Sequence, residues 1–163
     1  MKIIGITGGI GCGKSEVLRF LSECGACVVE ADRLAHSLMK KGKTAYKEIV
    51  EYFGPDILDD YGEIDRGRFG KLVFGDDKAL KKLNSIVHPV VKDFILKDIH
   101  EKEKEGCTDY YVIEAALLIQ DGYREICDEM WYIFAEKDVR LSRLIKGRGG
   151  DAEAHPRGGG VPL

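Results

Sequence analysis

Long apolar runs are missing from this sequence. Its uncharged stretches all fall short of the ~20 apolar residues that a membrane-crossing helix needs, so no membrane association is expected. Nor is there a surplus of one charge. Lys and Arg number 25 against 28 Asp and Glu, for a formal net charge of −3. Such a balance gives no global pull toward nucleic acid or an anionic membrane. The opening residues Met1 to Gly9 carry a single Lys and soon turn to glycine. They lack the apolar stretch and small-residue cleavage site of a signal peptide. The expected location is cytoplasmic, with no nucleic-acid partner and no obligate protein partner. The five cysteines are an odd number, which argues against a disulfide framework. Cys24-Gly25-Ala26-Cys27 is the one CxxC. A structural zinc site normally takes four ligands, and no second pair exists. The two thiols read as small apolar side chains, one closing a helix and one opening a strand. No internal repeat is visible.

What remains is a chain of 163 residues, 44% hydrophobic and one third charged with mixed sign. A chain of this size buries roughly two-thirds of its unfolded surface, enough for one domain with an inserted lobe. Lys2 to Thr7 is a β-branched run ending in glycines, the pattern of a buried strand. Lys14 to Glu23 has Val17, Leu18 and Leu21 at helical spacing, and Gly25 stops it. Cys27 to Ala31 is a second short strand. Strand, helix and strand within about thirty residues make a βαβ unit with parallel strands.

From Asp32 to about Glu105 the pattern is helical. Ala45, Ile49, Val50 and Phe53 share a face, and Gly54-Pro55 ends that helix. Asp59-Asp60-Tyr61-Gly62 reads as a turn. Asp65 is placed to cap a helix reaching Phe74. Another helix starts at Asp76-Asp77, and Pro89 predicts a break with a new helix start. His100 to Glu105 reads as a solvated helix end. Tyr110 to Glu114 and Met130 to Ala135 are the third and fourth strands, and Lys137 to Lys146 is a helix. Gly147 to Leu163 holds six Gly and two Pro without any period, and disorder is expected there.

One segment carries chemistry. Gly8-Gly9-Ile10-Gly11-Cys12-Gly13-Lys14-Ser15 matches GxxxxGK[ST], between an apolar strand and an amphipathic helix. Glycines let the backbone wrap so that several N–H groups face one anion. The helix N-terminus adds its positive dipole end. Lys14 can reach β- and γ-phosphates, and the Ser15 hydroxyl can ligate Mg²⁺. The pattern therefore points to a nucleoside triphosphate and magnesium, but not to the acceptor.

Other residues allow two readings each. In open parallel sheets ligands bind beyond the carboxyl ends of the strands, where Asp32 follows the second strand. It could take a proton from an acceptor hydroxyl or simply cap the next helix. Glu114 could orient Mg²⁺ through water or form a salt bridge at the sheet edge, the latter slightly favoured. Arg140, Arg143 and Arg148 could close over a transferring phosphate or line a solvated helix face. Arg143 is the preferred one of the three and Arg140 the least. Lys40, Lys41, Lys43 and Lys47 could attract a phosphorylated acceptor, although a solvated helix junction is the stronger reading.

At this point the motifs resemble those of the dephospho-CoA kinase family. Ile6-Thr7 followed by Gly8 to Ser15 is similar to its TGGIGSGKS loop, and Glu30-Ala31-Asp32 falls at its D-A-D. Tyr52 to Leu58, Ile64-Asp65-Arg66 with Val73-Phe74, Leu83 to Pro89, and Leu117-Leu118-Ile119 with Gly122 resemble four further family segments. The resemblance spans about residues 1 to 148. It implies an α/β fold: a three-layer parallel-sheet P-loop kinase domain with core 1–31 and 108–136. A helical substrate lobe at 32–107 and a partial lid at 137–148 complete it. It also implies ATP-dependent phosphorylation of the 3′-hydroxyl of dephospho-CoA, the last step of coenzyme A synthesis. By carry-over, Gly11 to Glu16 hold ATP and Asp32 is the general base. Arg66 and His88-Pro89 face the acceptor, and Arg143 and Arg148 belong to the lid.

Some positions depart from the family pattern. Cys12 replaces a Ser, Glu16 a Thr, Ala116 a Pro and Gln120 a Glu. Glu16 brings a negative charge toward the phosphates. After Arg148 the family's remaining lid, fifth strand and terminal helix have no counterpart, so the 149–163 tail reads as truncated or frameshifted. An exposed sheet edge, lower stability and weak catalysis are expected from that. Two other functions compete on the residues alone: a P-loop kinase for another small metabolite or nucleoside monophosphate, and a non-catalytic ATP-binding module.

Overall fold

A computed structural model describes residues 1–150 other than Leu117, Gln120 and Asp121, with side chains described through 145. In chain order its main elements are β1 (Lys2–Gly8), α1 (Lys14–Glu23), β2 (Cys27–Glu30), α2 (Ala31–Leu38), α3 (Thr44–Phe53), α4 (Arg66–Phe74), α5 (Asp77–Glu105), β3 (Tyr110–Glu114), β4 (Glu129–Ile133) and α6 (Lys137–Gly150). The chain forms two compact units. One contains Met1–Glu30 and the chain from Glu105 onward, the other Ala31–Lys104.

The first unit is built on a four-stranded parallel sheet of order β2-β3-β1-β4. The strands of the expected βαβ unit are parallel, but β3 lies between them. Ile4 and Ile6 of β1 point to one face and bury with Val112 of β3 and Leu18 of α1. Each such side chain contributes about 1.5–3 kcal/mol on burial, so the helical spacing of Val17, Leu18 and Leu21 ties α1 to the sheet. On the opposite face Gly5 admits no larger residue. A Cβ there would come within 2.7 Å of Leu118 Cδ2 and Met130 Sδ and 2.9 Å of Cys127 Sγ. Burial pushes the Cys127 thiol up to about 11, so at neutral pH it is a packing group and not a nucleophile. Cys24 caps α1 and Cys27 opens β2, and no disulfide joins any of the five cysteines.

The second unit is helical. Its α3 and α4 meet through an edge-to-face pair of Phe53 and Phe69, centroids 5.1 Å apart. The segment between them forms a small hairpin. Leu58 bridges Ile64, and the Asp59 carboxylate accepts from the amides of Tyr61 and Glu63 at 2.9 Å each. The turn at Asp59 to Gly62 is thus as expected. So is the Asp65 cap, whose Oδ1 accepts from the Arg68 amide at 2.8 Å.

That cap gives a first test. The Arg68 amide, as the main cause, holds the Asp65 carboxyl below its ordinary range. Its stabilising effect is therefore present at neutral pH and disappears as pH falls through the lowered value. Asp65→Ala should lower the thermal midpoint by about 2–4 °C. Asp65→Asn should keep most of it, because the amide oxygen still accepts. Equal midpoints for the Ala variant and the parent at neutral pH would contradict this.

Two expectations are corrected. Pro89 does not break the chain: α5 runs unbroken from Asp77 to Glu105 with Pro89 inside. An interior proline costs roughly 3 kcal/mol, but the buried stripe keeps phase across it. Leu83, Ile86 and Val87 precede Pro89, and Val91, Ile95 and Ile99 follow at helical spacing. At roughly 1.5–3 kcal/mol per side chain, that stripe outweighs the local loss, and the ring faces solvent. The second correction concerns α6, which continues through Gly147, Gly149 and Gly150. Propagating an existing helix is easier than starting one, so glycines that discourage nucleation are still carried along. The rest of the expected disordered tail, 151–163, lies outside the described residues. Among the described residues no helix is long and apolar enough to cross a membrane.

Candidate functional site

The loop after β1 is shaped by glycine where no other residue fits. A Cβ on Gly8 would stand 2.4 Å from the Ile133 carbonyl oxygen of β4, so β1 and β4 can run together only if position 8 is bare. Gly11 and Gly13 have φ of 77° and 98°, in the left-handed region that side chains disfavour. The Cys12 amide donates to the Gly9 carbonyl at 3.4 Å. Its side chain is buried, so Cys12 fills space beneath the loop and offers the site its backbone alone. Gly13 is the N-cap of α1, and no side chain caps that end. The amides of Glu16 and Val17 share the Gly13 carbonyl at 3.1 and 3.3 Å. The helix's opening amides at Lys14 and Ser15 lie ahead of that ladder, as at any helix start.

Lys14 folds over the base of the loop. Its Nζ donates to the Gly8 carbonyl at 2.8 Å and the Gly9 carbonyl at 3.4 Å. The same ammonium stands 3.8 Å from Glu114 Oε1 at the end of β3. Glu114 is the one buried charged residue among those described. Of its two sequence readings, the salt bridge is the one the structure contains. The sequence did not reveal that its partner is the loop lysine.

Glu16 does not turn into the loop's interior by default. It pairs with Arg19 at 2.6 Å, with both side chains exposed. Arg19, as the main cause, holds the Glu16 carboxyl below its ordinary range, with a smaller contribution from Arg143. The negative charge feared at this position is thus largely matched by its neighbour one turn on.

Two arginines of α6 reach the loop. Arg140 Nε donates to the Ile10 carbonyl at 2.9 Å, and Arg143 Nη1 to the Gly11 carbonyl at 3.3 Å. Of the two, Arg140 makes the shorter contact with the loop. Their spacing of three residues on one helix, which puts both on one face, was the signal available. The side chain of Arg148 lies outside the described set.

The donor set fits a polyphosphate. Flexible backbone, an uncapped helix N-terminus and one lysine at the loop's base are what a chain of phosphates requires. The Ser15 hydroxyl follows Lys14 at the start of α1, the place from which a P-loop serine ligates a phosphate-bound cation. No cluster of three or more His, Cys, Asp or Glu among the described residues could hold a metal by itself. Mg²⁺ characteristically takes few protein ligands and fills its shell with phosphate oxygens and water.

The remaining expected site residues all belong to the second unit, on three helices. Asp32 is the second residue of α2, within its first turn. The helix begins at Ala31, so Asp32 is not its N-cap. Its backbone carbonyl accepts a hydrogen bond from His36 Nδ1 at 2.8 Å. Arg66 opens α4 and is exposed. His88 is half-buried in the middle of α5, beside exposed Pro89. Lys41 is used structurally, its Nζ donating to the Tyr61 carbonyl at 2.8 Å and its amide to Glu63 Oε2 at 3.0 Å.

A family model described as dephospho-CoA kinase matches residues 2–157, past the point at which the recognisable motifs end. A protein named dephospho-CoA kinase from Carboxydothermus hydrogenoformans is 40% identical over 149 residues, 91% of this chain and 72% of the relative. One of the same name from Moorella thermoacetica is 38% identical, covering 89% of this chain and 68% of the relative. Among solved structures, a Thermus thermophilus protein superposes with a TM-score of 0.75 at 30% identity, over 91% of this chain and 73% of that one. A Campylobacter jejuni dephospho-CoA kinase shares the fold, with a TM-score of 0.57 at 19% identity over 94% of this chain and 98% of that one.

Proposed function

This chain belongs to the dephospho-CoA kinase family, and on that footing we propose that it moves the γ-phosphoryl group of ATP to the 3′-hydroxyl of dephospho-CoA. It is an ATP-dependent kinase, and the competing small-metabolite and non-catalytic readings are not favoured. The observation that carries the proposal is the glycine loop Gly8 to Ser15, with the Lys14 ammonium held over Gly8 and Gly9.

In this reading the loop amides and the α1 N-terminus cradle the β- and γ-phosphates, and Lys14 neutralises part of their charge. Gly8, Gly9, Gly11, Cys12, Gly13 and Glu16 contribute backbone to that cradle. Ser15 would hold Mg²⁺, whose charge would offset negative charge on the phosphates. Asp32 takes the proton of the acceptor hydroxyl. The freed oxygen forms the new P–O bond as the γ-phosphorus bond to the bridging oxygen breaks, and that electron pair leaves with ADP. Arg143 and Arg148 act over the transferring group, where guanidinium forks match spread phosphoryl charge. The second unit, Ala31–Lys104, supplies acceptor contacts through Arg66 and His88-Pro89. A cytoplasmic setting is part of the same reading, in keeping with ATP as donor.

The test is an acceptor panel with γ-labelled ATP and magnesium. Label should pass to dephospho-CoA and not to AMP or shikimate. Transfer to AMP alone would replace this acceptor, and ATP binding with no transfer to any acceptor would leave a binding module in place of an enzyme.

A further inference from the structure

We propose that Arg140 is a positioning residue for the anion loop, which it orients by holding the Ile10 carbonyl from outside. The inference deepens the reading of the loop as a polyphosphate cradle and rests on it. Three observations converge. Arg140 Nε donates to the Ile10 carbonyl oxygen at 2.9 Å. The guanidinium covers Gly9, where a Cβ would stand 3.0 Å from Nη2, 3.1 Å from Cζ and 3.4 Å from Nη1. The α6 backbone itself closes on Gly11, where a Cβ would lie 3.1 Å from the Arg140 carbonyl oxygen and 3.3 Å from Leu144 Cγ. Positions 9 and 11 thus face α6 at close range, Gly9 against the Arg140 guanidinium and Gly11 against the Arg140 backbone.

The consequence follows from peptide geometry. A trans peptide unit is planar, and its C=O and N–H point in opposite directions. Holding the Ile10 carbonyl toward α6 therefore turns the Gly11 amide away from it. Gly11 has a positive φ of 77°, and an unrestrained glycine samples many other orientations. Without Arg140, ordering that amide toward an anion must be done at the moment of binding. With it, the order exists beforehand, which is the general route by which preorganisation raises affinity. Arg143 repeats the device at the next carbonyl, more weakly, at 3.3 Å.

The hydrogen bond and the positive charge can be separated by substitution. Arg140→Gln keeps a donor without charge, Arg140→Lys keeps the charge on a different donor, and Arg140→Ala removes both. Mg-ATP affinity by calorimetry should fall about tenfold in Arg140→Ala, the size expected from one charge-assisted hydrogen bond. Arg140→Gln should recover most of that, and the KM for the acceptor should stay unchanged in all three. In nucleotide-free protein, amide exchange at Gly11 should quicken in Arg140→Ala and stay near the parent rate in Arg140→Gln. Wild-type affinity in Arg140→Ala, or Arg140→Lys restoring affinity where Arg140→Gln does not, would overturn the proposal. So would unchanged Gly11 exchange in Arg140→Ala. If the parent binds no ATP, the polyphosphate reading fails by itself, while the exchange comparison still decides whether Arg140 orders the loop.

Discussion

Lys14→Ala is expected to reduce Mg-ATP affinity at least about a hundredfold. The estimate comes from losing two or more charge-assisted contacts to phosphate oxygens, each worth roughly 1.5–3 kcal/mol. Among the described residues, the neighbouring cations already contact other protein groups. Arg140 and Arg143 are occupied at the Ile10 and Gly11 carbonyls, and Arg19 is engaged by Glu16 and Glu23. The substitution also acts on the fold. Lys14 holds the Gly8 and Gly9 carbonyls and stands beside the buried Glu114 carboxylate. Removing one partner of a mostly buried pair leaves the other poorly compensated. A lowered thermal midpoint should therefore accompany the loss of affinity. Calorimetric titration on protein shown to be folded by circular dichroism separates the two effects. Near-parental ATP affinity in the folded variant would remove the lysine from the proposed cradle.

Asp32→Asn is expected to give the opposite combination: ATP binding retained, phosphoryl transfer lowered about 10²–10⁴-fold, the range for a lost general base. Asparagine has nearly the same shape and can still accept a hydrogen bond, but it cannot take up the acceptor proton. The alternative role for Asp32 is structural, since an acidic residue in a first helical turn is favoured by the dipole. The two roles leave different traces. A purely structural Asp32 would show itself as a lower thermal midpoint with turnover preserved per folded molecule. A base would show itself in single-turnover rate with the midpoint almost unmoved. Full turnover in Asp32→Asn would end the assignment, while the kinase reading would then need another proton acceptor.

The loop and its immediate neighbours were legible because their signals are local. A β-branched run forms β1, glycines stand at the turn, and α1 shows helical spacing, all within about two dozen residues. The Asp65 cap and the Asp59 turn are legible for the same reason, since each depends on groups no more than four residues apart. Pro89 misled because its effect on a helix depends on more than its own neighbourhood. A proline is a local cost, and whether the helix yields depends on how much apolar surface lies in phase on both sides. That surface includes Ile95 and Ile99, well beyond the break that local rules place at Pro89. The CxxC pair also lies where local rules place it, with Cys24 exposed at the C-cap of α1 and Cys27 half-buried at the start of β2.

What the sequence determined without help was the chemistry of one segment: a glycine-wrapped helix start with a lysine and a serine in place, and the family motifs around it. What only the tertiary structure decided was which distant groups meet that segment. It put β3 between β1 and β2, and so brought Glu114 to Lys14. It put α6 against Gly9 and Gly11, and so made Arg140, not Arg143, the closer arginine. The physical reason is the range of the interactions. Backbone propensity and capping act within a helical turn or two, so residue order alone records them. A salt bridge across a sheet, or a guanidinium on a carbonyl 130 residues away, exists only once burial of the whole core has fixed where the strands and helices lie.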